Sequence, residues 1–467
     1  RRSMEIYTSL ATPTMSFLKS TSFVTTAGDK KSPTSMNGSH LFKPLISSSS
    51  SEDDEEVPTS TLATKLSCAS DWRTSLSGIP PLQRCSYAQS ILNAVNVLCG
   101  IGILSTPYAL KEGGWLSLIL LFVLGVITCY TGILLKRCLE SSSQLQTYPD
   151  IGSAAFGTKG RICIAAILYV ELYSSCVEYL IMMTDALSAY IPTAHVDVAG
   201  IHLNSYQICA VTSTLIILPT VWLRNLSLLS YISVGGVVTL ALIVICLIWV
   251  GVVSEIGFHP SGNALNLTKV PIAIGIYSFC YGSHSVFPNI YSSMEEPSQF
   301  PSVLIISFLI SGLLYGGVAV CAFLMFGEAT NSQFTLNMPS NSVASNVAGW
   351  SVVLAPLTKF GLSMTPVALA IEELFPATHV QSHTLPILIR TLLTFSTLAV
   401  ALAFPYFGSM MALIGSFLEM VVCIILPCAC YLMIQDGKLS KVEIGSCCTM
   451  IMVGVLCAIS GTYSAIS

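Results

Sequence analysis

Charge is what this chain lacks most. Asp, Glu, Lys and Arg make up 9% of its 467 residues, against about 25% in a soluble globular domain. Apolar residues reach 53%, and mean hydropathy is +0.74. These figures exclude a soluble fold and imply a polytopic membrane protein, whose partner is the lipid bilayer and not nucleic acid. Catalytic signatures are also missing. There is no HExxH, no GxSxG, no paired aspartates of catalytic type and no phosphate-cradling loop, so an enzyme is not expected. Nothing resembles the rings or filters of an ion channel.

The 17 cysteines form no zinc-type pair set, because Cys428-Ala429-Cys430 has the wrong spacing and lies in an apolar stretch. Most cysteines sit in apolar segments, and the loops assigned below to the non-cytoplasmic side hold none. They are expected as free thiols that pack like small hydrophobes. Neither a metal nor a cofactor is expected. The net charge of −4 says little, because the acids gather at Glu52-Asp53-Asp54-Glu55-Glu56 and at segment ends.

Residues 1–85 differ from the rest. They are rich in Ser and Thr, with a pure serine run from Ser47 to Ser51, and cannot bury enough apolar surface to fold alone. A disordered polar cytoplasmic tail is expected. It contains no apolar h-region, so no cleaved signal peptide is expected. The opening Arg1-Arg2-Ser3-Met4 places the true start at Met4 or upstream.

From residue 86 to 467 the chain is built of apolar segments long enough to cross a bilayer, which takes about 20 residues each. Eleven are expected: 87–110, 113–135, 161–191, 205–223, 227–254, 269–290, 301–326, 343–371, 384–404, 409–434 and 442–465. The hairpin near the end has only Phe404-Pro405-Tyr406-Phe407-Gly408 as separator. With the N-terminus in the cytoplasm, Lys136, Arg137, Lys159, Arg161, Arg224, Arg390, Lys438 and Lys441 fall on the cytoplasmic side. Only Lys111 and Lys269 fall opposite, which fits the positive-inside rule. Eleven crossings put the C-terminus on the far side, in the lumen. The sequon Asn266-Leu267-Thr268 falls in a non-cytoplasmic loop. Trp115 and Tyr87 sit at segment ends, as interfacial aromatics do.

Two segments are interrupted. The first contains Gly100-Ile101-Gly102, with Asn93 and Asn96 one to two turns before it. The sixth contains Tyr277-Ser278-Phe279-Cys280-Tyr281-Gly282-Ser283-His284, followed by Pro288. Lipid tolerates such helices only where the broken backbone faces protein or water. Breaks in segments one and six mean five crossings per repeat, with the second repeat inserted upside down. The expected fold is therefore all-α, a 5+5 inverted repeat of leucine-transporter type plus one extra helix. A lone GxG would serve equally for tight helix packing; the matching second break favours unwinding.

An unwound half-helix exposes N–H donors at one end and carbonyls at the other. The first can hold a carboxylate and the second an ammonium, so the pair suits a zwitterionic amino acid. The candidate binding residues are Asn93, Asn96, Gly100, Ile101, Gly102, Ser278, Tyr281, Gly282 and His284. Charges inside the membrane also need a reason, at about 2.5–3.5 kcal/mol each on insertion scales. Glu171, Glu178 and Asp185 recur every seven residues, a spacing that drifts only about 20° per step, so they form one stripe facing the bundle. Lys359, in segment eight, comes out at the depth of Glu171, and an ion pair with Glu171 or Glu178 is expected. It is either a static strut or a proton site, since desolvation shifts such groups strongly. His284 is a proton candidate by its intrinsic pKa, with a structural hydrogen bond as the alternative. Glu419 reads as a lone intramembrane acid, and Glu372 and Glu373 as solvated at a segment end.

These residues resemble the amino acid/auxin permease family, in particular its vacuolar amino acid transporter branch. The resemblance spans about residues 86–466. It is carried by NAVNVLCGIGILSTPYAL from Asn93, by Lys111-Glu112-Gly113-Gly114-Trp115, and by YGSHSVFPNIY from Tyr281 with MEEPSQFP from Met294. Leu357-Thr358-Lys359-Phe360-Gly361-Leu362 and Glu372-Glu373-Leu374-Phe375 add to it. The resemblance implies eleven crossings, proton coupling, amino acid substrates and an acidic organelle membrane, most often the vacuole. It implies no proven proton site. A plasma-membrane proton/amino-acid or auxin-like symporter, and an amino acid sensor signalling through the tail, are the competing readings.

Overall fold

The computed structural model describes residues 84–198, 201–223, 226–375 and 384–467, with backbone only at 201 and 226–234. The tail expectation, apart from its last two residues, and Arg224 lie outside the described residues.

Helix α1 (Tyr87–Leu98) ends where Gly100 takes extended backbone. A 3-10 turn, Ile101–Ser105, leads into α2 (Thr106–Gly113), which Pro107 starts. The two parts are bent by 48°. Helix α3 (Ser117–Leu139) crosses back. Helix α4 (Tyr148–Ser188) starts at a capping box, in which Thr147 and Asp150 satisfy each other's backbone amides. The third segment was expected to begin at 161. The helix instead begins at Tyr148 and is broken at Gly157 (φ +69°), a conformation that glycine adopts cheaply; Arg161 pairs with Asp150 across that kink (3.4 Å).

A short antiparallel hairpin, β1 (Val196–Val198) with β2 (Ile201–Leu203), precedes α5 (Ser205–Trp222) and α6 (Leu226–Val253). The sixth crossing is in two pieces, α7 (Val270–Cys280) and α8 (Phe287–Ser293), each with a proline in its first turn. Helices α9 (Phe300–Phe326), α10 (Val343–Glu372) and α11 (Thr384–Ala403) follow. Next come α12 (Phe407–Ile434) and α13 (Lys441–Ile466). Within α12, Gly415–Ile425 winds as π-helix.

Among the described residues, nine helices are long and apolar enough to cross a membrane, and ten if α1 and α2 count as one bent crossing. The expected eleven is reached only by counting α7 and α8 together as the sixth, since α7 alone is an 11-residue helix. The short separator holds: α11 stops at Ala403 and α12 starts at Phe407.

The crossings pack in two groups. α9 lies against α1, α2 and α3, and α2 lies against α7. Separately, α10 lies against α4, α5 and α6, and α11 against α4 and α5. Crossings one, two, six and seven thus form one bundle, and three, four, eight and nine another, as an inverted five-helix repeat requires. α12 touches both groups, through α7, α3 and α4. Only 17% of the apolar window of α13 is buried, against 61% for α10, so the eleventh crossing is peripheral. The described cysteines are free thiols.

Buried charge staples the second group. Arg390 Nε lies 3.2 Å from Glu372 Oε1, and Arg390 Nη1 donates to the Val221 carbonyl at 2.9 Å. This corrects the solvated reading of Glu372, which is 5% exposed and locked between α5, α10 and α11. Glu373 is exposed as expected. At the opposite ends, Lys111 and Lys269 converge on buried Glu112, the latter at 2.7 Å.

Candidate functional site

The two breaks meet. A Cβ built on Gly102 would stand 2.9 Å from Cys280 Sγ and 3.2 Å from Cys280 Cα. Only a glycine lets the 3-10 turn of crossing one approach the end of α7 so closely. The Tyr315 hydroxyl, on α9, lies between the carbonyl oxygens of Leu98 and Cys280, at 2.9 Å from the latter. Leu98 and Cys280 are the last residues of α1 and α7. One buried tyrosine thus gathers the carbonyl ends of both half-helices. A hydroxyl has a single proton to donate, so these two carbonyls retain accepting capacity for an ammonium. The backbone amide of His284 lies against the Cys423 thiol, but the amides of Ser283 and Ser285, in the second break, make no backbone hydrogen bond. Such free donors are what a carboxylate seeks.

A family-model match decides which proteins share this arrangement. Residues 83–467 match the model for transmembrane amino acid transporter proteins. The chain belongs to the transmembrane amino acid transporter family. This transporter is 50% identical to amino acid transporter AVT1E of Arabidopsis thaliana, over all of this chain and 89% of that one. It is 51% identical to amino acid transporter AVT1D of the same plant, over all of this chain and 85% of that one. It is 29% identical to the vesicular GABA transporter of Caenorhabditis elegans, over 81% of this chain and 79% of that one. Among solved structures it is similar to a substrate-bound, outward-open state of a Na+-coupled sialic acid symporter, with a TM-score of 0.49 and 12% identity, over 80% of this chain and 89% of that chain.

The transporter's candidate residues separate on inspection. Gly100, Ile101 and Gly102 form break one, and Tyr281, Gly282 and His284 belong to break six. Ser278 is buried and its hydroxyl bonds back to Ile274 O at 2.7 Å, inside α7. Asn93 is buried a turn and a half before the break and reaches Cys85 Sγ at 3.8 Å; Asn96 is half-buried on the same helix. The Tyr281 ring stacks on Phe308 and meets Tyr315 edge-on. His284 is fully buried. Its Nε2 lies 3.0 Å from the Thr131 hydroxyl, and its Nδ1 has no partner in the protein.

The acidic stripe of α4 faces the bundle. Glu171 and Glu178 are 7% and 0% exposed, and half-buried Asp185 accepts from Gln333 Nε2 at 2.9 Å. Glu171 accepts from Ser285 Oγ, in break six, at 3.3 Å. The expected ion pair is not formed. Among the described residues no salt bridge joins Lys359 to Glu171 or Glu178, and both Glu178 oxygens lack a hydrogen-bond partner. Lys359 instead lies within electrostatic reach of Cys99, in break one. Its stem crosses Gly236 of α6, where a Cβ would come 3.3 Å from Lys359 Cε. Sequence position alone did not tell which neighbour Lys359 meets.

Two residues of this site escaped sequence reading. Tyr315 was hidden in an apolar helix, and its one signal was a hydroxyl flanked by Gly312, Gly316 and Gly317. Glu419 was visible but read as solitary. The π turn of α12 lays its carboxylate directly on Gly282, so that any Cβ at Gly282 would overlap it.

Proposed function

We propose that this protein is a proton-coupled secondary active transporter of neutral amino acids across the vacuolar membrane. The contact of Gly102 with Cys280, with the carbonyls of Leu98 and Cys280 gathered beneath one tyrosine, carries the reading. The substrate ammonium binds at those carbonyls, and the carboxylate at the free amides of the breaks. Gly100, Ile101, Gly102, Ser278, Tyr281, Gly282 and His284 surround it, with Asn93 and Asn96 on the α1 side. Glu171, Glu178, Lys359 and His284 are the candidates for carrying or gating the proton. The neutral class rests on paired half-helix ends that suit a zwitterion, and the vacuolar address on the family resemblance. The names of the Arabidopsis relatives support amino acid transport. The N-terminus lies in the cytoplasm and the C-terminus in the lumen, on the distribution of Lys and Arg.

The test is flux of a panel of labelled amino acids in reconstituted vesicles, with the pH gradient set in each direction. Accumulation of neutral amino acids driven by the gradient is expected. A sodium requirement with indifference to pH would overturn the coupling. Substrate binding without flux would convert the protein to a sensor, and clean plasma-membrane signal from a fluorescent fusion would remove the vacuolar assignment.

A further inference from the structure

Three carboxylates converge on the second break, and no cation accompanies them. Glu419 comes from the π segment of α12, and Glu171 and Glu178 from α4; both lie within electrostatic reach of Glu419. They are 4%, 7% and 0% exposed. Among the described residues none is within salt-bridge distance of a Lys or Arg. Of the other titratable groups, Cys423 lies against Glu419 on its own helix, Tyr148 of α4 bonds the Val422 carbonyl of the same π segment and lies within reach of Glu171, and Cys280 at the end of α7 lies within reach of Glu178. None of these supplies a fixed positive charge.

The group is tied to the second break. Ser285 Oγ donates to Glu171 Oε1 at 3.3 Å, Cys423 Sγ lies 3.2 Å from Glu419 Oε2, and the Glu419 carboxylate rests on the bare Cα of Gly282. Unpartnered polar atoms point to a missing ligand. Both Glu178 oxygens, Glu171 Oε2, Ser283 Oγ and His284 Nδ1 are buried without hydrogen-bond partners. A buried carboxylate with no counter-charge is sustained only as the neutral acid or beside a cation. π-turns, moreover, concentrate at functional sites because they re-aim a side chain.

We propose that Glu419 and Glu171 hold the transported proton between them across the break of crossing six. This rests on the proton-coupled reading above. When the proton leaves a carboxyl oxygen as hydronium to the less acidic compartment, the carboxylate left behind keeps the Ser285 hydroxyl as donor. The segment Gly282–Ser285 then registers the change of charge, and with it the free amides that receive the substrate carboxylate. Glu178 is the third member, close enough to oppose simultaneous ionisation of the pair.

The experiment uses the full chain in proteoliposomes, with radiolabelled alanine, glutamine and isoleucine, and a pH dye inside. Two quantities are read for wild type, E419Q, E419D and E171Q. One is accumulation under an imposed pH gradient; the other is exchange of labelled for unlabelled amino acid without one. The expected result is that E419Q exchanges but neither accumulates nor moves protons, that E171Q does the same, and that E419D regains both with a displaced pH profile. Gradient-driven accumulation by E419Q with the wild-type pH profile overturns the proposal. So does equal loss of exchange and accumulation in E419Q and E419D, which marks a packing role, or an unmoved profile in E419D should E419Q fail to reach the membrane. A wild type driven by sodium and blind to pH overturns the coupled reading itself, an outcome distinct from failure at Glu419 alone.

Discussion

The two breaks share a geometry and differ in charge. Each ends a half-helix at a carbonyl held by Tyr315, and each faces a helix from the opposite repeat group. Break one has Lys359 of crossing eight nearby, over the glycine at 236. Break six has Glu171 of crossing three and Glu419 of crossing ten. Crossings three and eight are repeat equivalents, and they carry Glu171 and Lys359 respectively, while Glu419 comes from crossing ten of the second repeat. Inverted repetition duplicates the backbone device, and local side chains then assign the two copies different tasks. In the mechanism proposed here, the acids beside break six exchange the proton, and Lys359 beside break one is a candidate for gating it.

The comparison can be broken most severely at its centre. Gly102→Val drives a branched side chain into Cys280, and misplacement by about 1 Å can cost roughly 100-fold in rate. Uptake should disappear while the protein still reaches its membrane, as imaging of a fluorescent fusion and flux together would reveal. Normal uptake would count against the unwound contact.

Arg390→Met tests a charge outside both breaks. It leaves Glu372 buried without its cation, a change that costs about 3–5 kcal/mol. Thermal unfolding should shift strongly, with the pH profile of flux in the surviving protein unaltered. Gly282→Ala pushes a methyl into the Glu419 carboxylate; overpacking of this kind costs about 1–3 kcal/mol. Flux should fall and its pH dependence change together. A drop in amount alone, with the profile intact, would separate Gly282 from the proton.

These contrasts show what was legible beforehand. The breaks could be read because helix-breaking residues recur in crossings one and six, at matching places of the two repeats, and the stripe of Glu171 and Glu178 followed from a spacing of seven. The partners of those residues could not. Glu419 lies on Gly282, from a π segment, and π geometry leaves no sequence period to detect. Lys359 was expected to pair with Glu171 or Glu178 and lies instead near Cys99 and over Gly236, because spacing along one helix does not tell which neighbouring crossing a side chain meets. Glu372 looked solvated because Arg390 lies on another crossing.

Smaller effects sharpen the comparison. Tyr315→Phe removes the hydroxyl shared by Leu98 and Cys280, worth about 1 kcal/mol, or roughly fivefold in substrate affinity. The loss should appear in KM and leave the pH profile in place. Lys359→Met should alter the pH dependence of flux while sparing delivery. If Lys359→Met and Glu171→Gln both leave that profile untouched, the asymmetry of charge between the breaks is structural only.

The contact between the breaks can be measured directly by oxidative cross-linking. Gly102→Cys is introduced into protein whose cysteines other than Cys280 are replaced, and membranes are oxidised before mass spectrometry of the linked peptides. The Cβ position at 102, 2.9 Å from Cys280 Sγ, predicts a disulfide between 102 and 280 that stops flux and is slowed by saturating amino acid. Correctly delivered protein that forms no such link, or forms it at the same rate with substrate present, would contradict a binding site built where crossings one and six meet.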